Sequence, residues 1–262
     1  MFSPRLLGLL LCVDLIGSAW GQLAVTRYYG HLNQPVPDGD LNGVVNVQNI
    51  TGEPHRSIAE IAVDLVLGGV DDEEGFTGDL YITLLHETDY GAGYAVLLNR
   101  PGRSAGRPLG YSDPGDLAVT LTVNAGRDIH LYRAELSSDG SPLPLTGPLT
   151  GFWEPDGRET DPLSVVDTDP RTAGLESFRG LDPNGRWALY VADVSNGGAV
   201  RLDGWGLTLT LVPEPRGAML VAGMGMLGWA LIRRCRRNRL IRERTRDSTT
   251  SPATGHPVLG ES

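Results

Sequence analysis

The strictest constraint on this chain is a period. In Trp205-Gly206-Leu207-Thr208-Leu209-Thr210-Leu211 every second residue is apolar, with only Gly or Thr between. A repeat of two is the repeat of a β-strand, which sends alternate side chains to opposite faces. The same alternation recurs at Leu80, Ile82 and Leu84, at Val119, Leu121 and Val123, and at Trp187, Leu189 and Val191. Residues 57–67 form a β-branched run of the same character, and shorter strands are expected at 44–47, 94–98, 129–136 and 200–202. Turn signals separate them, among them Pro37-Asp38-Gly39, Asp113-Pro114-Gly115, Pro183-Asn184-Gly185 and Asn196-Gly197-Gly198. No amphipathic helix of useful length emerges. Many short strands with Gly and Pro turns predict an all-β chain, a jelly-roll-like β-sandwich. Residues 101–108 and 137–151 read as loops. Trp187 and Trp205 share the parity of their apolar neighbours and are expected to anchor the core. Trp153 falls in a loop, where local packing and an exposed aromatic platform are both open readings.

Both ends read as processing segments. Residues 1–21 carry Arg5, an apolar run over 6–13, then Ser18-Ala19-Trp20-Gly21. That is the layout of a secretory signal peptide with cleavage near Gly21. Between the ends, residues 22–212 hold 27 Asp and Glu against 12 Arg, a formal charge of −15, and the chain has no Lys. A surface this acidic repels nucleic acid, whose phosphates need Lys or Arg clusters. The two cysteines, Cys12 and Cys235, both lie outside that segment, so within it a disulfide framework, a thiolate zinc site and a Cys nucleophile are excluded. At about 190 residues a domain buries enough apolar area to fold without such staples.

The C-terminal stretch contains Gly223-Met224-Gly225-Met226-Leu227-Gly228, the GxGxxG pattern. A dinucleotide turn needs a strand before it, a helix after it and an acid about twenty residues on. Here the pattern lies inside an apolar run, residues 217–232, bounded by Arg216 and Arg233. The run reads instead as one transmembrane helix of about 24 Å, extended by snorkelling arginines. Arg233, Arg234, Arg236 and Arg237 follow it, which predicts a cytoplasmic C-terminus and an external acidic domain. Pro213-Glu214-Pro215 is expected not to continue the last strand, since Pro lacks an N–H donor. Residues 238–262, rich in Arg, Ser, Thr and Pro, read as a disordered tail.

Two resemblances follow from these residues. Phe76-Thr77-Gly78-Asp79-Leu80-Tyr81-Ile82-Thr83-Leu84 resembles the GDL-x-I-x-L strand of the P domain (P/Homo B) of proprotein convertases and bacterial subtilisin-like proteases. Leu97-Leu98-Asn99-Arg100-Pro101-Gly102 is similar to the L-x-x-R-x-G segment of that family. Phe178 to Asp193 resembles F-x-G-x-x-x-x-G-x-W-x-L-x-V-x-D, and Leu202 to Leu209 resembles L-x-x-W-x-L-x-L. Pro35-Val36-Pro37-Asp38 with Asn42-Gly43-Val44 looks like the usual opening of such domains. The resemblance covers residues 24–212 and implies a jelly-roll sandwich that is not itself catalytic. Such a domain normally follows a protease domain and stabilises it. No protease domain lies between Gly21 and the first strand here, so the resemblance implies a proteolytic role only in trans. Val212-Pro213-Glu214-Pro215, the apolar run and the Arg cluster together resemble a PEP-CTERM sorting signal. That implies recognition by an exosortase-type protease and an association with exopolysaccharide and the biofilm matrix. The 25 residues after Arg237 depart from the pattern, which usually ends at its basic cluster.

Chemistry is sparse. There is no G-x-S-x-G or HExxH, and the five histidines stand in no triad context. Calcium is the one cofactor with a physical case, because Ca²⁺ takes six to eight oxygens from carboxylates and loop carbonyls. Asp38, Asp40, Asp79, Asp113 and Asp193 lie at turns or strand ends, Asp71-Asp72-Glu73-Glu74 precede the Gly78-Asp79 strand, and P domains sometimes bind Ca²⁺. The same carboxylates could instead hydrogen-bond turn amides. The expectation is a non-catalytic exported module of the cell surface or extracellular matrix, binding exopolysaccharide or a surface protein. The alternative is an accessory module that stabilises a subtilisin-like serine protease in trans.

Overall fold

A computed structural model describes residues 22–54, 56–70, 75–137 and 144–213. The strands among them are β1 (Leu23–Pro35), β2 (Asp40–Ile50), β3 (Arg56–Gly69), β4 (Leu80–Thr88), β5 (Gly91–Asn99), β6 (Leu117–Thr122), β7 (Leu149–Trp153), β8 (Gly185–Asp193) and β9 (Val200–Pro213). They form a five-stranded sheet, order β1-β9-β3-β6-β7, and a four-stranded sheet, order β2-β8-β4-β5. All pairs are antiparallel except β6 with β7. The chain is therefore a two-sheet all-β sandwich, and the described residues belong to one unit that ends at Pro213.

The period of two decides what lies between the sheets. Val63, Leu65, Leu121, Trp205, Leu207 and Leu209 face inward from one side; Ile82, Leu84, Trp187, Leu189 and Val191 meet them from the other, all fully buried. Each such aliphatic side chain contributes roughly 1.5–3 kcal/mol. The two indoles sit in different sheets. Trp187 packs on Phe178 and stacks on His86, while Trp205 packs on Tyr29 and donates its Nε1–H to Asn46 at 2.9 Å.

The outward rows differ between sheets. On the five-stranded sheet, Thr26, Thr208, Ala62 and Thr122 form one cross-strand row, and Tyr28, Gly206, Asp64, Thr120 and Phe152 the next. On the four-stranded sheet the rows are Val45-Tyr190-Thr83-Val96, then Val47-Ala188-Leu85-Tyr94, then Asn49-Arg186-Glu87-Ala92.

Four expectations need correction. Residues 129–136 are not a strand: a 3₁₀ turn (Ile129–Leu131) leads into the short helix α1 (Tyr132–Leu136). Asp128 caps the turn by accepting the His130 amide at 2.9 Å, and Tyr132 is drawn into the core. Residues 137–151 are not loop throughout, because β7 begins at Leu149. Trp153 ends that strand fully buried, its Nε1–H donating to the Thr150 carbonyl at 2.9 Å. Pro213 is the last residue of β9, opposite Arg56, where a missing N–H falls at the strand terminus. Among the described residues no helix is long and apolar enough to cross a membrane. The signal peptide (1–21), the proposed span (217–232), the tail (238–262) and the sorting residues Glu214, Pro215, Arg233, Arg234, Arg236 and Arg237 lie outside the described residues.

Candidate functional site

The resemblance-bearing segments converge at one end of the four-stranded sheet. Gly78 must be glycine there: a Cβ would lie 2.6 Å from the Leu109 carbonyl and from the backbone of Tyr111. That close approach delivers Asp79 to the mouth of β4. Arg100 leaves β5 with φ of 51°, a region that L-residues occupy at a cost. The turn swings its guanidinium inward, where Nε donates to the Gly78 carbonyl at 2.9 Å. Its Nη2 donates to Asp79 Oδ1 at 3.1 Å and to Ser195 Oγ at 2.9 Å. Asp193 closes β8 beside them, fully buried. Its Oδ1 accepts the Ser195 amide at 3.4 Å and its Oδ2 has no hydrogen-bond partner.

Two carboxylates and one guanidinium thus share a buried corner. Burial, then the negative charge of Asp79, pushes the Asp193 pKa up to about 7. Burial also raises Asp79, against the pull of Ser195 and Arg100, and lowers Arg100. Asp38 is the remaining neighbour; it adds negative potential at both acids while accepting the Gly197 amide.

The five calcium candidates do not make one site. Asp38, Asp79 and Asp193 come together. Asp40 sits opposite Asp193 in register, but its Oδ1 holds the Asn42 amide and side chain at 2.8 Å. Asp113 lies elsewhere, gripped by the Arg133 guanidinium at 2.7 and 2.8 Å, by the Tyr132 hydroxyl and by the Leu145 amide. Calcium needs several free oxygens. The corner offers one unpartnered carboxylate oxygen beside a guanidinium, so these residues do not fit the ion. Among the described residues no cluster of His, Cys, Asp and Glu is arranged to hold a metal. Asp71 to Glu74 lie outside the described residues.

Sequence reasoning missed a second buried network. His130 Nδ1 lies 2.7 Å from Asp156 Oδ2 and Nε2 lies 2.9 Å from the Arg103 carbonyl. Both partners accept, so both nitrogens donate and the ring is an imidazolium. Burial opposes that charge, but the Asp156 hydrogen bond and carboxylate outweigh it, and the pKa is raised. Arg158 completes the set, bridging Asp156 and Asp128 at 3.1 and 2.9 Å. His130 and Asp156 are fully buried, so this His–Asp pair meets no substrate. His86 has no carboxylate partner. Its ring stacks on Trp187 at 3.8 Å, and burial lowers its pKa. Its Nε2 lies 2.7 Å from the Asp182 carbonyl and its Nδ1 3.2 Å from the Arg186 carbonyl, and a neutral ring donates to only one of them.

Two open clefts lie on the surface of the described residues. One, of about 570 Å³, is lined by Glu154, Arg171, Thr172 and Glu176. Arg171 is spent there, on Glu154 at 3.0 Å and on two carbonyls. The other, of about 490 Å³, lies at the end of the four-stranded sheet away from Asp193, among Asn49, Asp89, Tyr90, Asp182, Asn184 and Arg186. Tyr90 stands at the tip of the β4–β5 turn, 94 % exposed.

No protein-family model and no curated protein matches this chain. Solved structures similar to it include the serine protease of Aeromonas sobria, at 13 % identity over 76 % of this chain with a TM-score of 0.36. The complex of that protease with its chaperone is similar at 14 % identity over 77 % of this chain, with a TM-score of 0.34. The chain spans 29 % of the length of the protein chains it resembles. Likeness at this level carries no argument about activity.

Proposed function

We propose that this chain is a non-catalytic binding module of the cell surface or extracellular matrix, built on a P-domain-like jelly-roll sandwich. In this reading residues 1–21 export it and the segment from Val212 to Arg237 is its PEP-CTERM-like address, read by an exosortase-type protease. The observation that carries the reading is the meeting of Asp79, Arg100 and Asp193. Each comes from a different segment of the P-domain resemblance; Asp79 and Arg100 pair with each other, and Asp193 lies buried beside them. The acid with the largest shift, Asp193, is fully buried and serves the fold rather than a reaction. His130 and Asp156 support the same conclusion, since their hydrogen bonds are spent on backbone and arginine.

Intact mass of the protein recovered from cell envelope and culture medium tests this. A form beginning near Gln22 and ending near Pro215 is expected. Recovery of the complete chain from the cytoplasm alone overturns the reading. Stoichiometric co-purification with a subtilisin-like protease that loses stability without this chain replaces it with the protease-accessory role.

A further inference from the structure

The outer face of the four-stranded sheet departs from the usual pattern of a half-solvated sheet. The positions opposite the core on β2, β8, β4 and β5 are expected to be polar. Two of the rows there, Val45-Tyr190-Thr83-Val96 and Val47-Ala188-Leu85-Tyr94, carry no charge; Thr83, Val96 and Ala188 are buried, while Val45 and Val47 are exposed and Leu85, Tyr94 and Tyr190 half-buried. Beside them Tyr81 meets Tyr190 edge-on at 6.0 Å. The tyrosine hydroxyls are held in place: Tyr81 and Tyr94 hydrogen-bond at 3.2 Å, and Tyr190 donates to the Leu41 carbonyl. Along β5 the face has a wall, because Asn99 Nδ2 donates to the carbonyls of Arg158 and Thr160. At its far end the strip runs past the Arg186–Glu87 pair into the cleft beneath Tyr90.

We propose that this strip and cleft bind an extended, uncharged polysaccharide. The proposal rests on the binding-module reading above and names its ligand class. A pyranose ring has apolar C–H faces and a rim of hydroxyls. The tyrosines match both parts, offering ring surface and fixed hydroxyls together. The cleft supplies planar hydrogen-bonding groups, the amide of Asn49 and the carboxylate of Asp89, beside Asp182, whose Oδ1 accepts from Asn184, and Arg186, whose Nη1 donates to Glu87; such groups suit neighbouring hydroxyls on one sugar. Charge selects among polymers. Residues 22–212 carry a formal −15, so an acidic polymer is repelled while a neutral one is not. From Tyr81 to Thr88 the strip is about 23 Å long, the span of several sugar rings.

An array of neutral and acidic oligosaccharides, probed with the full chain, tests the proposal. Neutral chains of several residues are expected to be retained better than short ones. Tyr90→Ala and Tyr190→Phe are expected to weaken retention about tenfold and severalfold, as loss of a binding hot spot does. Thr208→Ser, on the opposite sheet, is expected to leave it unchanged, and thermal melting confirms that each variant is folded. Retention of no glycan, retention of acidic glycans only, or retention indifferent to both tyrosine variants overturns the proposal. So does a dimer in solution that Tyr190→Phe dissociates, which would assign the face to a second copy. An exported, correctly processed chain that retains no glycan overturns this inference and leaves the module reading standing.

Discussion

The two sheets share one core and treat water differently. The outer face of the five-stranded sheet is built of Thr26, Thr208, Thr210, Thr120 and Thr122, with Asp64 accepting from Thr120 at 2.6 Å. Its one large ring in the middle, Tyr28, lies along Gly30, Gly204 and Gly206, where an added Cβ would sit 2.6–2.9 Å from it. The outer face of the four-stranded sheet carries tyrosines, valines and a leucine instead. One face is mostly threonine with two exposed rings, Tyr28 and Phe152, and the other mostly half-buried tyrosine and aliphatic residues, although the same alternation generates both. Threonine on a strand satisfies propensity and solvation at once. Part of the second apolar row is buried in the chain itself, at Thr83, Val96 and Ala188, and the rest forms the strip proposed above as a binding face.

The largest test of that contrast is in the core beneath the two faces. Trp187→Ala and Trp205→Ala are each expected to cost about 3–5 kcal/mol in urea denaturation. Tyr81→Ala, on the outer face, is expected to cost about 1–2 kcal/mol, since the ring is half-buried. A loss as large as that of Trp187→Ala would break the comparison, because the rings would then be a second core rather than a surface.

The next effect is electrostatic and is largest at the end of the four-stranded sheet. Asp193 binds its proton more tightly in the fold, with a pKa of about 7 against an ordinary 3.8. Its contribution is complete below pH 4 and is lost as pH rises through 7, on the order of 4 kcal/mol in total. His130, also raised, loses its contribution in the same direction as pH rises through its folded value. His86, lowered, acts in reverse and penalises the fold as pH falls below 6.5. Between pH 4 and pH 7 Asp193 is therefore expected to lower the melting temperature as pH rises, against the opposite pull of His86, and Asp193→Asn to remove that fall. An unchanged slope in the variant would remove Asp193 from the account.

The smallest effects sharpen the contrast between faces. Tyr81→Phe removes the hydroxyl link to Tyr94 and is expected to cost about 0.5–1.5 kcal/mol. Thr26→Ala removes the 3.2 Å contact with Thr208 and is expected to cost less than about 0.5 kcal/mol. Chemical denaturation resolves the two if the order holds; the reverse order would mean that the threonine row carries more of the fold than the tyrosine row.

How far the sequence was legible depends on whether a property is periodic or convergent. Periodic properties showed. β3, β4, β8 and the end of β9 could be read from their alternation because each has one face in the core. β1 was harder to see: it is an edge strand with Arg27, His31 and Asn33 among its residues, the last two at positive φ. Residues 129–136 misled because Ile129, Leu131 and Leu136 look like strand residues; the Asp128 cap was a local signal passed over, while the pull of Asp113 on Arg133 acts across the chain. Convergent properties were hidden for the same reason. Asp79 and Asp193 were singled out one by one, but nothing in the local sequence joins them to each other or to Arg100. The tyrosine strip needs the register of four strands before Tyr81, Tyr94 and Tyr190 fall on one face. The one available signal was parity, since Tyr81 and Tyr190 occupy the polar phase of otherwise clean alternations.

β9 has one more consequence. It is the last strand of the sandwich, yet it lies between β1 and β3 with hydrogen-bonded neighbours on both sides. Tension applied at Pro213, with resistance from a polymer held on the other sheet, runs along the axis of this strand. Its ladder bonds to β3 then bear the load together in shear rather than opening one after another like a zip. A module tethered by its C-terminal end and pulled through its ligand would thus be loaded in the direction in which a sheet resists most.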